Sequence, residues 1–181
     1  MNNQHKVFVS YCHTEDQDFR ERFDELFPDV YGITVLESVK MGDFDNTKLL
    51  TERICQHIRD KYLRNSTVTA VLIGANTWQQ KSIDWEISAS LHQTQYNTRS
   101  GLLGIMLPTY PRPPGKHYDP RTIPPRLHDN IVCGFSKLYT WNEEPYTVLS
   151  WIHYAYRWRT EILPNNSRAP FNNDLSGERW N

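Results

Sequence analysis

Glu86 is the side chain whose place in the sequence best suits chemistry. It follows Trp85 and lies one turn after Ile83, so on a helix its carboxylate borders an apolar face. That helix follows residues 68–74, an aliphatic run typical of a strand buried in a parallel sheet. Open sheets of this kind bind ligands beyond the carboxyl ends of their strands. We therefore expect a partly desolvated acid in a ligand crevice, with a pKa above its ordinary value.

The composition excludes several classes of function. The 181 residues suffice for one domain with a core, and 20 basic against 21 acidic residues give no general attraction to nucleic acid or membrane. No apolar run approaches the roughly 20 residues of a membrane span, and the first residues lack the apolar segment of a signal peptide. The three cysteines lack ligand spacing, which indicates neither a disulfide framework nor a zinc site. We expect a cytoplasmic protein with free thiols.

Hydrophobic spacing predicts alternating strands and helices along most of the chain. Strands are predicted at residues 6–11, 33–36, 68–74 and 101–107, with a small fifth strand at 130–133. Helices are predicted between residue 16 and Pro28, at 47–62 with Leu50 on the inward face, after Asn76 and at 146–159. The Pro-rich residues 109–126 are predicted to have no regular structure.

This alternation predicts an α/β fold. Strands that alternate with helices form a parallel sheet with right-handed crossovers, here of four to five strands with helices on both faces. The flavodoxin-like and Rossmann-like folds both satisfy this pattern. We expect one domain over residues 1–163, with a core at 6–107 and an elaboration at 108–163. A poorly ordered tail is expected at residues 164–181.

Three segments together resemble the TIR domain family, and more narrowly the TIR-like ThsB-type proteins of Thoeris anti-phage defence. They are VFVSYCHTEDQDFRERF, RNSTVTAVLIGANTW and SIDWEI. The last resembles the aromatic-Glu-Ile helix start that carries the catalytic glutamate in NAD-cleaving TIR domains. The chain has Ser82 where members of the family often carry Trp.

The resemblance implies an enzyme that cleaves NAD at the bond between nicotinamide and ribose, with NAD as its substrate and no prosthetic group. It implies an ADP-ribose-derived product, cyclic or conjugated, that activates a separate effector protein after a phage-derived trigger. Homo-oligomers fit this expectation, whereas nucleic acid and membrane partners do not. Glu86 is the expected catalytic carboxylate. The expected substrate-binding residues are Phe8, Ser10, Tyr11, His13, Asp45 and Trp85.

Other interpretations of the same residues stay open. A TIR-like adaptor would signal through assembly without turnover, and a nucleoside deoxyribosyltransferase-like enzyme would also use a glutamate against a ribosyl bond. Glu86 alone is compatible with a solvated first-turn acid favoured by the helix dipole. Phe8 and Trp85 are equally compatible with packing, and His13 and Asp45 with ordinary loop positions.

Overall fold

The computed structural model describes residues 5–27, 32–40, 42–44, 50–95 and 97–181. Strands β1 to β5 span His5–Ser10, Ile33–Val35, Val68–Ile73, Gly101–Met106 and Ser136–Thr140. Helices α1 to α5 span Gln17–Glu25, Thr51–Lys61, Lys81–Leu91, Pro125–Val132 and Pro145–Glu161. The strands form one parallel sheet in the order β2-β1-β3-β4-β5. The predicted α/β architecture is therefore confirmed.

Helices cover both faces of the sheet, and β1 shows how its alternating side chains divide between them. Val7 and Val9 pack with side chains of α1 and α5 on one face. Phe8 packs on the other face against side chains of α2 and α3. Because side chains of a strand alternate, Ser10 points to the same face as Phe8. The end of β1 is thereby directed toward α3.

The predicted second helix begins later than expected. The sequence predicts a helix at residues 47–62, but α2 begins at Thr51. Residues 45–49 lie outside the described part of the chain. Leu50 has an extended backbone and is 68% exposed, so it does not belong to the inward apolar stripe. Ile54 and Ile58 are buried as predicted.

The secondary structure predicted from the sequence after β4 is wrong. Residues 130–133 form the end of α4 rather than a strand, and the fifth strand follows at Ser136–Thr140. Residues 109–126 contain a 3-10 turn at Pro120–Thr122 and the first turn of α4. Pro125 starts that helix because the first turn needs no backbone N–H donor, and Gly134 ends the segment with φ 84°.

The C-terminal residues 164–181 are packed against the domain. Trp180 Nε1 donates to the Ile123 carbonyl oxygen at 2.9 Å, and the Leu175 amide donates to the Gln79 carbonyl oxygen at 2.7 Å. Arg168 forms an ion pair with Asp129 on α4. The segment therefore has hydrogen-bond and ion-pair partners on the domain although it forms no helix or strand, and the expectation of poor order stays a prediction.

Two further observations concern the helices and the cysteines. None of the helices in the described part of the chain is long and apolar enough to cross a bilayer. Cys12, Cys55 and Cys133 are free. Burial raises the pKa of the Cys55 thiol to about 11, so this group stays protonated at neutral pH and acts as packing between α2 and the core.

The close approach of α5 to β4 yields a prediction about Gly101. A Cβ there would collide with the backbone carbonyl of Ala155, whereas a Cβ on Gly104 would meet movable side-chain ends of Leu138 and Leu127. We expect Gly101→Ala to lower the free energy of unfolding by about 3 kcal/mol, and Gly104→Ala by about 1 kcal/mol. Urea unfolding of both variants measures this. Equal losses would contradict the backbone contact as the cause.

Candidate functional site

The turn between β3 and α3 sets where Glu86 lies. After Ile73 the Gly74 amide donates to Thr77 Oγ1 at 2.8 Å, and Thr77 Oγ1 donates to the Leu72 carbonyl oxygen. This side-chain bridge closes the chain into a 3-10 turn at Thr77–Gln79, and α3 then begins at Lys81. Glu86 consequently falls in the second turn of α3, close to the carboxyl ends of the strands.

Glu86 is buried and hydrogen-bonded to the end of β1. Ser10 Oγ donates to Glu86 Oε2 at 2.5 Å, across 76 positions of sequence. Glu86 is 2% exposed and Ser10 is fully buried. Ser10 is the last residue of β1 and points to the α3 face, which is why the two side chains meet. The hydroxyl therefore holds the carboxyl group in one orientation.

Burial raises the pKa of the Glu86 carboxyl group to about 8. Loss of hydration is the larger cause, since a carboxylate away from water loses the solvent that stabilises its charge. The hydrogen bond from Ser10 acts in the opposite direction and lowers the pKa. The group is therefore mostly neutral at pH 7, and acids and bases in functional sites often have such shifted pKa values.

Glu86 borders a cavity of about 240 Å³ at this edge of the sheet. Tyr11 and His13 line it from the loop after β1, and Ser82 and Trp85 line it from α3. Because serine is small, Ser82 occupies little of the cavity. The cavity thus combines one buried acid with aromatic surface and a hydroxyl group, a mixture suited to a small polar ligand.

A loop between β2 and α2 forms the opposite wall. It contributes Lys40, Asp43 and Phe44. Tyr62, the residue after α2, donates a hydrogen bond from its hydroxyl to Asp43, and this bond holds the pKa of the Asp43 carboxyl below its ordinary value. Asp43 therefore stays charged, and it fixes this part of the loop to α2.

A second, more open groove of about 580 Å³ continues from the cavity. The two share Tyr11, His13, Val39 and Lys40 as lining residues. Tyr11 donates its hydroxyl proton to Gln17 at 2.7 Å, and its ring meets His13 edge-on at 4.4 Å. Burial and the nearby Arg20 charge lower the pKa of His13, so this histidine is neutral at pH 7. The site is thus an enclosed pocket with a wider extension.

Polar contacts from distant parts of the chain hold the start of α3. Asp84 accepts from Arg126 Nε at 2.8 Å and from the Phe171 amide at 2.9 Å, and both charged side chains are almost completely buried. Trp85 Nε1 donates to the Phe171 carbonyl oxygen at 2.7 Å. These bonds fix the two residues immediately before Glu86, and so they position the carboxyl group.

The structure brings most of the predicted site residues together, although not all of them. Tyr11, His13, Trp85 and Glu86 line the cavity, and Ser10 reaches it through its bond to Glu86. Phe8 does not line it: it lies two residues deeper in β1 and packs in the core between α2 and α3. Asp45 lies outside the described residues.

Several lining residues were not found from the sequence. Lys40, Asp43 and Phe44 belong to a polar loop whose composition indicates proximity to a site, but composition does not select particular residues within it. Lys81 comes just before the segment SIDWEI, and no neighbouring residue marks it as part of a site. Asp174 comes from the C-terminal residues, where no sequence pattern connects it to α3.

The five-strand parallel sheet, with the order β2-β1-β3-β4-β5 and a glutamate at its carboxyl edge, defines the class as a flavodoxin-like α/β domain. The family model for the Thoeris protein ThsB, TIR-like domain, matches residues 8–112, which is more than half of the chain. The chain therefore belongs to the TIR-like ThsB family of Thoeris defence proteins, and the resemblance found in the sequence is confirmed. No curated protein matches it.

The raised pKa of Glu86 predicts how stability changes with pH. Below pH 4.5 the group is protonated in both folded and unfolded chains. Between pH 4.5 and about 8 only the unfolded chain ionises, so stability falls as pH rises and then levels off. Glu86→Gln has no ionisable group at this position. Relative to the wild type, its free energy of unfolding should therefore increase across this window, by at most about 5 kcal/mol in total.

Urea unfolding from pH 4.5 to 9 measures the difference in free energy of unfolding between Glu86→Gln and the wild type. The contributions of all other titrating groups cancel in this difference. The exposed Glu25 provides the control, because Glu25→Gln should show no comparable change with pH. A difference between Glu86→Gln and wild type that stays constant over the window would contradict a neutral Glu86.

Proposed function

We propose that this protein is a Thoeris TIR-type enzyme that cleaves NAD at the nicotinamide–ribose bond, with Glu86 as the catalytic residue. The observation that carries the proposal is the buried Glu86 carboxyl group, held by Ser10 at the wall of an enclosed cavity. Burying an ionisable group destabilises a fold, so its presence beside a cavity favours a functional role. Membership of the ThsB family supports the same conclusion.

The chemistry requires a negative charge near the sugar. When the bond between C1′ of the ribose and the pyridinium nitrogen breaks, its electron pair moves to nitrogen, and nicotinamide leaves as a neutral molecule. The ribosyl carbon then bears positive charge shared with the ring oxygen. An ionised Glu86 stabilises this charge, and the poor hydration of the site strengthens the interaction.

Substrate binding supplies the change of protonation that this step needs. The carboxyl group is mostly neutral at pH 7 before substrate binds. The oxidised nicotinamide ring of NAD carries a positive charge, and an opposite charge within a few ångströms lowers the pKa of an acid. Binding of NAD therefore favours loss of the Glu86 proton, so the carboxylate forms beside the bond that breaks.

The dimensions of the site suggest how the dinucleotide binds. The cavity, at about 240 Å³, is slightly smaller than the usual range for ligand pockets, so it suits the nicotinamide and its ribose rather than the whole dinucleotide. The wider groove that shares Tyr11 and Lys40 suits the remainder. Lys40 and Lys81 contribute positive charge for the pyrophosphate. NAD is consumed in this scheme, and no prosthetic group takes part.

The fate of the ribosyl group determines the product. Attack by water gives ADP-ribose, whereas attack by a hydroxyl or ring nitrogen of the same molecule, or by a second small molecule, gives a cyclic or conjugated nucleotide. We favour the second outcome because Thoeris membership fits a messenger that activates a separate effector after a phage-derived trigger. Assembly into homo-oligomers is compatible with this role.

Incubation of the protein with NAD tests the proposal. We expect release of nicotinamide by the wild type and a loss of at least about 100-fold in Glu86→Gln, because the amide cannot become negatively charged. Chromatography of nicotinamide, with purified protein and with extracts of phage-infected cells, measures this.

Glu25→Gln is the matched control and should retain wild-type turnover. Unchanged release by a folded Glu86→Gln protein would overturn the assignment. Release of free bases from nucleosides but not from NAD would favour the deoxyribosyltransferase-like alternative. Assembly without turnover in infected-cell extracts would favour the adaptor.

The pH dependence of turnover tests the role of Ser10. The value of kcat/KM for NAD should rise through an apparent pKa near 8, the value for the free site. Ser10→Ala removes the hydrogen bond that lowers this pKa, so the midpoint should move to higher pH. Ser82→Ala removes a hydroxyl group from the same cavity and should leave the midpoint unchanged. An unshifted midpoint in Ser10→Ala would contradict the assignment.

A further inference from the structure

The C-terminal strap, defined here as residues 164–181, crosses the beginning of α3. It accepts a hydrogen bond from Trp85 at Phe171, and the Leu175 amide donates to the Gln79 carbonyl oxygen. Between these two points lies Asp174, whose side chain is part of the cavity wall. The family match ends at residue 112, so it does not account for this segment.

Asp174 supplies the N-terminal cap that α3 otherwise lacks. Gln80 at the cap position makes no side-chain hydrogen bond to the helix. Instead Asp174 Oδ1 accepts from the Lys81 amide at 2.8 Å. The first amides of a helix have no partner within it, and a carboxylate there also interacts favourably with the helix dipole. Asp174 therefore fixes the strap at the mouth of the cavity.

The capping bond leaves negative charge available to a ligand. Among the described residues, no ion pair involves Asp174, because the Lys81 ammonium group lies over the Trp85 ring at 5.4 Å. The Asp174 side chain is exposed: Oδ1 accepts from the helix, and Oδ2, which has no protein partner among the same residues, is open to solvent and to a ligand in the cavity. A carboxylate at the wall of a half-enclosed cavity attracts positive charge and accepts hydrogen bonds from hydroxyl or amide groups.

We propose that Asp174 is a substrate-binding residue that selects the oxidised, positively charged nicotinamide ring. This inference rests on the proposed function and deepens it. Oxidised NAD carries a pyridinium cation, whereas the reduced dinucleotide has a neutral ring of nearly the same shape. Asp174 attracts the first and offers no charge attraction to the second. It adds a second carboxyl group to the cavity that Glu86 borders.

Binding experiments in the Glu86→Gln background separate this role from capping. Asp174→Asn keeps an oxygen for the Lys81 amide but removes the charge, and Asp174→Ala removes both. Calorimetry should give an affinity for oxidised NAD about 5- to 10-fold lower in Asp174→Asn, with less than about a 2-fold change for the reduced form. The melting temperature should fall by less than about 2 °C in Asp174→Asn, which loses only the interaction with the helix dipole, and by about 2–4 °C in Asp174→Ala.

Glu178→Gln is the matched control, since it removes a negative charge from an exposed position of the same strap. Its affinities should equal those of the background protein. If Asp174→Asn changed the affinities for oxidised and reduced NAD equally, or changed neither, Asp174 would act only as a helix cap and the inference would be overturned. Absence of NAD binding when Asp174 is present would overturn the proposed function as well. Nicotinamide release by the Glu86→Gln protein would overturn only the catalytic assignment.

Discussion

The hydrogen bond between Ser10 and Glu86 is the interaction on which the arrangement of the site depends. It joins the end of β1 to the second turn of α3, with both side chains almost completely buried at the cavity wall. A buried carboxyl group destabilises the folded state because it gives up hydration, and one neutral hydrogen bond offsets only part of that cost. A hydrophobic residue would pack there more favourably. The fold therefore keeps an acid where stability alone would not place one.

The parallel sheet explains why these two residues meet despite their separation in sequence. All of its strands run in one direction, so their carboxyl ends and the loops after them share one edge. The register pairs Ser10 with Val71, three residues before Gly74, and the Thr77 bridge then returns the chain to the sheet as α3. The strand register and the short hydrogen bonds that follow β3 thus together determine where Glu86 lies.

Much of this arrangement follows from sequence pattern, for identifiable reasons. Val7, Val71 and Leu103 lie in short aliphatic runs that cannot be mistaken for surface, so the inner strands were predictable. Glu86 was recognised because it follows Trp85 on a helix after such a run. The strand predicted at residues 130–133 is wrong, because the short apolar run of Ile131 and Val132 fits a strand or a buried helix turn equally well. Phe8 packs in the core instead of lining the cavity, because sequence pattern gives the face of a strand but not the depth along it.

The residues beyond the family match complete the site in a way that sequence pattern does not reveal. Asp84 is buried beside Glu86, and the donors that satisfy its carboxylate come from Arg126 and Phe171. Without them the region matched by the family model would contain a buried charge with no partner, which is strongly destabilising. Such partners depend on three-dimensional proximity and have no periodic signal. The helix that carries Glu86 is therefore held by both halves of the chain, so the core predicted from the sequence is not a self-sufficient unit.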